Sequence, residues 1–182
     1  MKIVQSYWSH PSTFNDESIN ARSKGGFIDK RFHYMSWALS CLSLKRFYKK
    51  VELITDKAGS KLLVTELELP YTDIEVCLDQ LNHYHPNLWA IGKIKTYQLQ
   101  TEPFLHIDSD IYVWKKLGNL SFHKSPLIVQ NVEYDCKWNI EAMVNNEKKL
   151  SFLPEEINGA YKKSDFTSIN AGVIGGTDLD FF

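Results

Sequence analysis

What this chain has little of narrows its function before any motif is read. It has three cysteines, Cys41, Cys77 and Cys136, set far apart and without a C-x-x-C pair. That excludes a disulfide framework or a zinc knuckle as the basis of the fold, and reduced thiols in a cytoplasm are expected. Charge of one sign is missing as well: 21 basic residues against 22 acidic ones leave a formal net charge of −1. No broad basic field draws the chain to nucleic acid, so an anionic ligand must be held by local cations or by a bound metal ion. Long apolar runs are absent. No stretch approaches the ~20 residues of a transmembrane helix, and Met1–Val4 leads into polar residues, not into the apolar core of a signal peptide. There is no internal repeat and no low-complexity tract. Asn119-Leu-Ser121 has the form of a glycosylation sequon and is read as a chance match.

What is present is the composition of a globular protein. Of 182 residues, 43% are hydrophobic and 24% charged, which suits one domain with a core. Aromatics make up 13%, enough to furnish a ligand cleft as well as a core. The chain closes on Asn170–Phe182, NAGVIGGTDLDFF, and two terminal aromatics want burial. The expectation is therefore a single domain over 1–182, truncated at its C-terminal end.

Short β-prone runs predict strands at Lys2–Trp8, Val51–Thr55, Asp73–Leu78, Phe104–Trp114, Leu127–Val132 and Ser168–Ile174. Between them, periodicity predicts helices. One is capped by Asp29 and runs to about Tyr48, with Met35, Ala38, Leu39 and Leu42 on its apolar face. Others cover Ser60 to about Leu67, Leu88–Gln100 with Leu88, Ile91 and Ile94 inward, and Trp138–Lys149. The least regular parts, 10–30 and 150–167, are candidate mobile loops over a site. Strands alternating with helices predict an α/β fold: a mixed, mainly parallel sheet flanked by helices.

The most specific segment is Pro103–Val113, PFLHIDSDIYV. Within an apolar strand, carboxylates at Asp108 and Asp110 share a face, and His106 shares it with them. Two like charges beside a buried strand are costly unless a cation neutralises them. A hard divalent ion suits oxygen ligands and keeps positions open for phosphate oxygens. The alternative is an Asp pair that caps a strand end in a turn.

Three features together resemble the GT-A glycosyltransferases, above all the glycogenin and galactosyltransferase-like families. They are the D-x-D strand in FLHIDSDIYVWKKLGNL, the downstream N-A-G-V strand in Ile169–Gly176 (INAGVIGG), and a basic residue on the helix before D-x-D, best matched by Lys93 with Lys95 close behind. The resemblance covers most of the chain and is poorest at 10–30 and 135–167. It implies a GT-A, Rossmann-like fold and a metal-dependent transfer of a sugar from a nucleotide-diphosphate donor, a UDP-sugar foremost, to a hydroxyl acceptor such as a glycan or a lipid-linked glycan. It further implies Mn²⁺ or Mg²⁺ held by Asp108 and Asp110. The third metal ligand usual in those families, a His near the end of the domain, has no matching motif here.

With the nucleotide at the carboxyl ends of the first strands, further binding candidates are Tyr7 and Trp8 beside the base, Asp56 at the base or ribose, Lys93 at the phosphates or sugar, and Asn170 at the donor-sugar hydroxyls. Each has a plainer alternative: core packing for the aromatics, helix capping for Asp56, a solvated face for Lys93, a tightly packed strand for Asn170. His83 and His85 lack a third ligand and read as surface residues, and Gly25-Gly26 reads as a flexible loop. No catalytic nucleophile is nameable. Two alternatives stand beside the transferase: a non-catalytic nucleotide-sugar-binding module, and a haloacid-dehalogenase-type phosphatase, which also uses an apolar strand followed by D-x-D.

Overall fold

The computed structural model describes residues 2–13, 24–117, 124–134, 136, 149, 151, 152, 155 and 167–182. Contacts within the chain divide it into two units, one of residues 1–128 and 172–182 and the other of residues 129–171. All six predicted strands form: β1 (Lys2–Tyr7), β2 (Val51–Thr55), β3 (Asp73–Val76), β4 (Phe104–Ile107), β5 (Ile128–Glu133) and β6 (Ser168–Gly176). Their order in the sheet is β3-β2-β1-β4-β6-β5. β1 runs parallel to β2 and to β4, β2 parallel to β3, and β6 antiparallel to β4. This is the expected α/β architecture with a mixed, mainly parallel sheet.

The first unit is built on the period-2 alternation of its central strands, which sends successive side chains to opposite faces. Ile3, Leu53, Leu105 and Ile107 pack with Trp37, Cys41 and Leu44 in one cluster. Their neighbours Val4, Ile54 and Phe104 pack with Trp8, Leu78 and Leu81 in another. Gly175 and Gly176 let β6 come close: a Cβ at Gly175 would stand 2.1 Å from the Phe104 carbonyl oxygen. In the second unit, β5 and the start of β6 carry a side-chain bond from Asn170 Nδ2 to Glu133 Oε1 at 3.1 Å.

Helix α1 (Lys30–Phe47) begins as predicted, with Asp29 Oδ1 accepting from the Arg31 amide at 2.8 Å. Its inward face is not the predicted one. Met35, Leu39 and Leu42 are exposed, whereas Ser36, Ser40 and Ser43 are buried beside Trp37, Cys41 and Leu44. The buried serines have backbone partners after β4, described below, which an apolar stripe could not satisfy. The next helix starts earlier than predicted: α2 (Lys57–Ser60) continues as a π-helical stretch over Lys61–Glu66. α3 (Ile91–Gln98) is shorter than predicted and partly turned: Ile91 packs against the second cluster as predicted, but Leu88 and Ile94 are exposed, and Gly92 and Thr96 are buried. A Cβ at Gly92 would stand 2.9 Å from Trp8 Cβ, so only a glycine lets α3 lie this close to the end of β1.

In the irregular 10–30 region, His10–Thr13 forms a 3₁₀ turn, and Gly25 and Gly26 sit at φ 58° and 83°. The helix predicted at Trp138–Lys149 and the loop at 150–167 fall almost wholly outside the described residues. Among those described, no helix is long and apolar enough to cross a membrane.

Candidate functional site

Because β1 and β4 are parallel neighbours, their carboxyl ends open on the same edge of the sheet. There a cavity of about 330 Å³ is lined by Ser6, Tyr7 and Trp8 from the end of β1, and by Asp108, Ser109 and Asp110 from the end of β4. α1 contributes His33 and Trp37, α3 contributes Gly92 and Lys93, and Trp89 lies just before α3. The volume is at the lower end of the range for small-molecule sites.

The Asp108–Asp110 segment does not continue the strand as predicted. The Asp108 amide donates to the Gly172 carbonyl at 2.8 Å, one step past the β4 ladder, and the Ile111 amide then closes a turn onto the Asp108 carbonyl at 3.1 Å. Both residues reach the cavity through this turn and not through strand alternation.

The serine face of α1 holds the turn. Ser36 Oγ donates to the Ser109 carbonyl at 2.8 Å and Ser40 Oγ to the Ile111 carbonyl at 2.8 Å, with the Asp108 carbonyl 3.2 Å away. Ser43 Oγ accepts from the Val113 amide at 3.0 Å. Gln5 Nε2 donates to Ser40 Oγ at 3.0 Å and ties the same set to β1. Backbone groups taken out of water must find such partners, and the serines supply them.

Asp108 is the electrostatic centre. Its Oδ2 accepts from Lys93 Nζ at 2.6 Å, and its Oδ1 lies 3.7 Å from His106 Nδ1. Burial pushes its carboxyl above the usual carboxylate range. Lys93 opposes that shift, and the charge of Asp110 adds to it. The buried His106 ring is held well below its ordinary value by desolvation first and then by the Lys93 charge, so it is neutral. Lys93 also lies over the Trp89 ring, 5.8 Å from its centroid, a distance at which the ring quadrupole attracts a cation.

Of the residues singled out in the sequence, the cavity brings together Tyr7, Trp8, Lys93, Asp108 and Asp110. Tyr7 stands edge-on to Trp37 at 5.2 Å, and the Trp8 indole N–H donates to Asn82 Oδ1 at 2.8 Å. Asp56 is not in the lining. It is 2% exposed, and both oxygens serve the fold: Oδ2 accepts from Ser9 N and Ser9 Oγ, each at 2.7 Å, and Oδ1 caps α2 by accepting from Gly59 N at 2.7 Å. Asn170 belongs to the second unit. His83 and His85 are exposed, as expected of surface residues.

The sequence reading missed Ser6, His33, Trp37 and Ser109. His33 and Trp37 carried a signal, an i, i+4 aromatic pair, and the Trp37 indole N–H donates to His33 Nε2 at 3.1 Å. Asp108 and Asp110 both line the cavity, and carboxylate oxygens are the donor chemistry that a hard cation takes. Among the described residues no group of three or more His, Cys, Asp or Glu side chains is placed to share an ion.

The pattern of one protein family matches residues 1–182. The chain belongs to DUF6734, a family of unknown function. No curated protein matches this DUF6734 member in sequence. Its fold is similar to that of mouse xyloside xylosyltransferase 1 in an apo crystal structure, with a TM-score of 0.51 and 10% identity, over 98% of the DUF6734 chain and 67% of the other. At that identity the likeness establishes shared architecture: this DUF6734 member has the fold of a glycosyltransferase.

Proposed function

We propose that this DUF6734 member is a metal-dependent glycosyltransferase that moves a sugar from a nucleotide-diphosphate donor, a UDP-sugar foremost, to a hydroxyl acceptor on a glycan or lipid-linked glycan. One observation carries the reading: two carboxylates and a lysine meet in an aromatic-lined cavity at the carboxyl ends of two adjacent parallel strands, which is where open α/β sheets take their ligands. The glycosyltransferase fold of the mouse protein supports the same direction.

In this reading Asp108 and Asp110 hold Mn²⁺ or Mg²⁺. The ion would supply positive charge to a diphosphate leaving group. Lys93 exchanges its Asp108 partner for a phosphate oxygen, as a point charge on a flexible stem can. Trp8, Tyr7 and Trp89 offer aromatic surface to the base or the sugar and exclude water from the reacting bond. Asp56 serves the site indirectly, by pinning Ser9 beside the end of β1 and starting α2.

A non-catalytic nucleotide-sugar-binding module is the second reading. The specific observation in its favour is the two-carboxylate donor set, one member of which already pairs with Lys93. The phosphatase alternative fits less well, because its motif belongs on the first strand and here it follows the fourth.

The test is calorimetric titration of UDP with and without Mn²⁺. Binding is expected to require the ion, and Asp110→Ala is expected to weaken it by at least the ~10–100-fold seen when support to a metal ligand is lost. Unchanged affinity in Asp110→Ala would overturn the proposal. Donor hydrolysis or transfer, against binding alone, separates the enzyme from the module.

A further inference from the structure

Beneath Asp108 the buried run of β4 contains a polar ring that an apolar strand does not need. His106 is 1% exposed, between Leu105 and Ile107. The edge of the ring pair with Tyr97 closes one side, at 5.3 Å and 73°. His106 Nε2 lies 2.9 Å from Ser6 Oγ. Its Nδ1 has no hydrogen-bond partner among the described residues, and the Asp108 Oδ1 oxygen lies 3.7 Å from it.

Electrostatics chooses the tautomer. With the proton on Nε2, the Nδ1 lone pair would face a carboxylate. With the Ser6 hydroxyl donating to Nε2, the proton sits on Nδ1 and the ring turns a donor toward Asp108. That donor is a few tenths of an ångström beyond hydrogen-bond reach, while Lys93 holds the opposite oxygen at 2.6 Å. A small rotation of the carboxylate closes the gap.

We propose that His106 is a positioning residue for Asp108: its Nδ1–H takes Oδ1 when the carboxylate turns from Lys93 to a divalent cation, leaving Oδ2 aimed into the cavity. The inference rests on the reading of Asp108 as a cation ligand. Carboxylate ligands are commonly oriented by a second hydrogen bond of this kind. In a slot from which water is excluded, that bond sets direction more firmly than it would at the surface.

Side-chain geometry supplies the test. His106→Asn puts an amide nitrogen close to the place of Nδ1, His106→Gln puts one close to the place of Nε2, and His106→Leu has neither. Mn²⁺ binding alone, followed by electron paramagnetic resonance, and Mn²⁺-dependent UDP binding, followed by calorimetry, are measured below the unfolding midpoint of each variant. His106→Leu and His106→Gln are expected to weaken both by about 10–100-fold, while His106→Asn stays near wild type. Wild-type affinity in all three, or retention in the Gln variant and not in the Asn variant, overturns the proposal. Ser6→Ala removes the hydroxyl whose donation to Nε2 keeps the proton on Nδ1 and decides the matter should the amide variants not fold: Mn²⁺ affinity is expected to fall several-fold, and wild-type affinity refutes the assignment. Wild-type protein that binds manganese but not UDP defeats the proposed function and leaves the manganese series to judge His106. Wild-type protein that binds neither defeats both.

Discussion

Burial opposes a charge on Asp108, and the Lys93 ammonium stabilises it. The same ammonium then competes with any cation for Oδ2. Lys93→Met is therefore expected to have two effects of opposite sign: Mn²⁺ alone binds more tightly, and UDP in the presence of Mn²⁺ binds about tenfold more weakly, the order of one charge-assisted hydrogen bond. Parallel titrations of ion and nucleotide check this, and a change of the same sign in both would refute the competition. Cys41 gives a prediction about pH. Burial pushes its thiol up to about 11, against about 8.5 for an unfolded thiol. Its contribution to stability is complete below the unfolded value and is lost as pH rises from there toward the folded one, because only the unfolded chain releases the proton. Urea unfolding between pH 8 and 10.5 is expected to show a declining midpoint, less steep in Cys41→Ala. Native Cys41 is expected to resist iodoacetamide at pH 8.

At the scale of the element, α1 decides the shape of the site. Met35, Leu39 and Leu42 point outward, and the serines point inward beside Trp37, Cys41 and Leu44, because the turn after β4 has buried carbonyls that need donors. Ser40→Ala leaves the Ile111 carbonyl without its donor and is expected to cost about 1–3 kcal/mol, weakening UDP binding along with stability. Met35→Gln, on the face that periodicity marks as core but that is exposed, is expected to change stability by no more than about 0.5 kcal/mol. Chemical denaturation of the two variants checks both, and the reverse ranking would mean that the helix is turned the other way. The serine contacts join residues 68 to 73 positions apart, so no local pattern could announce them. Asp56 shows the same limit. Its place after β2 was legible, but the Ser9 amide and hydroxyl that occupy one oxygen come from 47 residues away.

At the scale of the whole molecule, the UDP prediction has a thermal counterpart. A ligand present at 100 times its dissociation constant stabilises the folded state by about 2.7 kcal/mol, roughly 5–10 °C for a chain of this size. That rise is expected only with Mn²⁺ and UDP together, and is expected to vanish in Asp110→Ala. The strands and their approximate limits were readable from the sequence, and β2 matches its predicted limits. So was the chemical character of Asp108 and Asp110, and the cap at Asp29. Alternation, chain stereochemistry and a short-range cap need no distant partner, so the sequence by itself determined the α/β class and the acidic pair at its centre. Only the tertiary structure decided that the pair sits in a turn and that Trp37 and His33 wall the cavity. Those outcomes depend on which buried backbone groups find donors and which side chains fit against Gly92 and Trp8, and both conditions arise only once the layers are packed together.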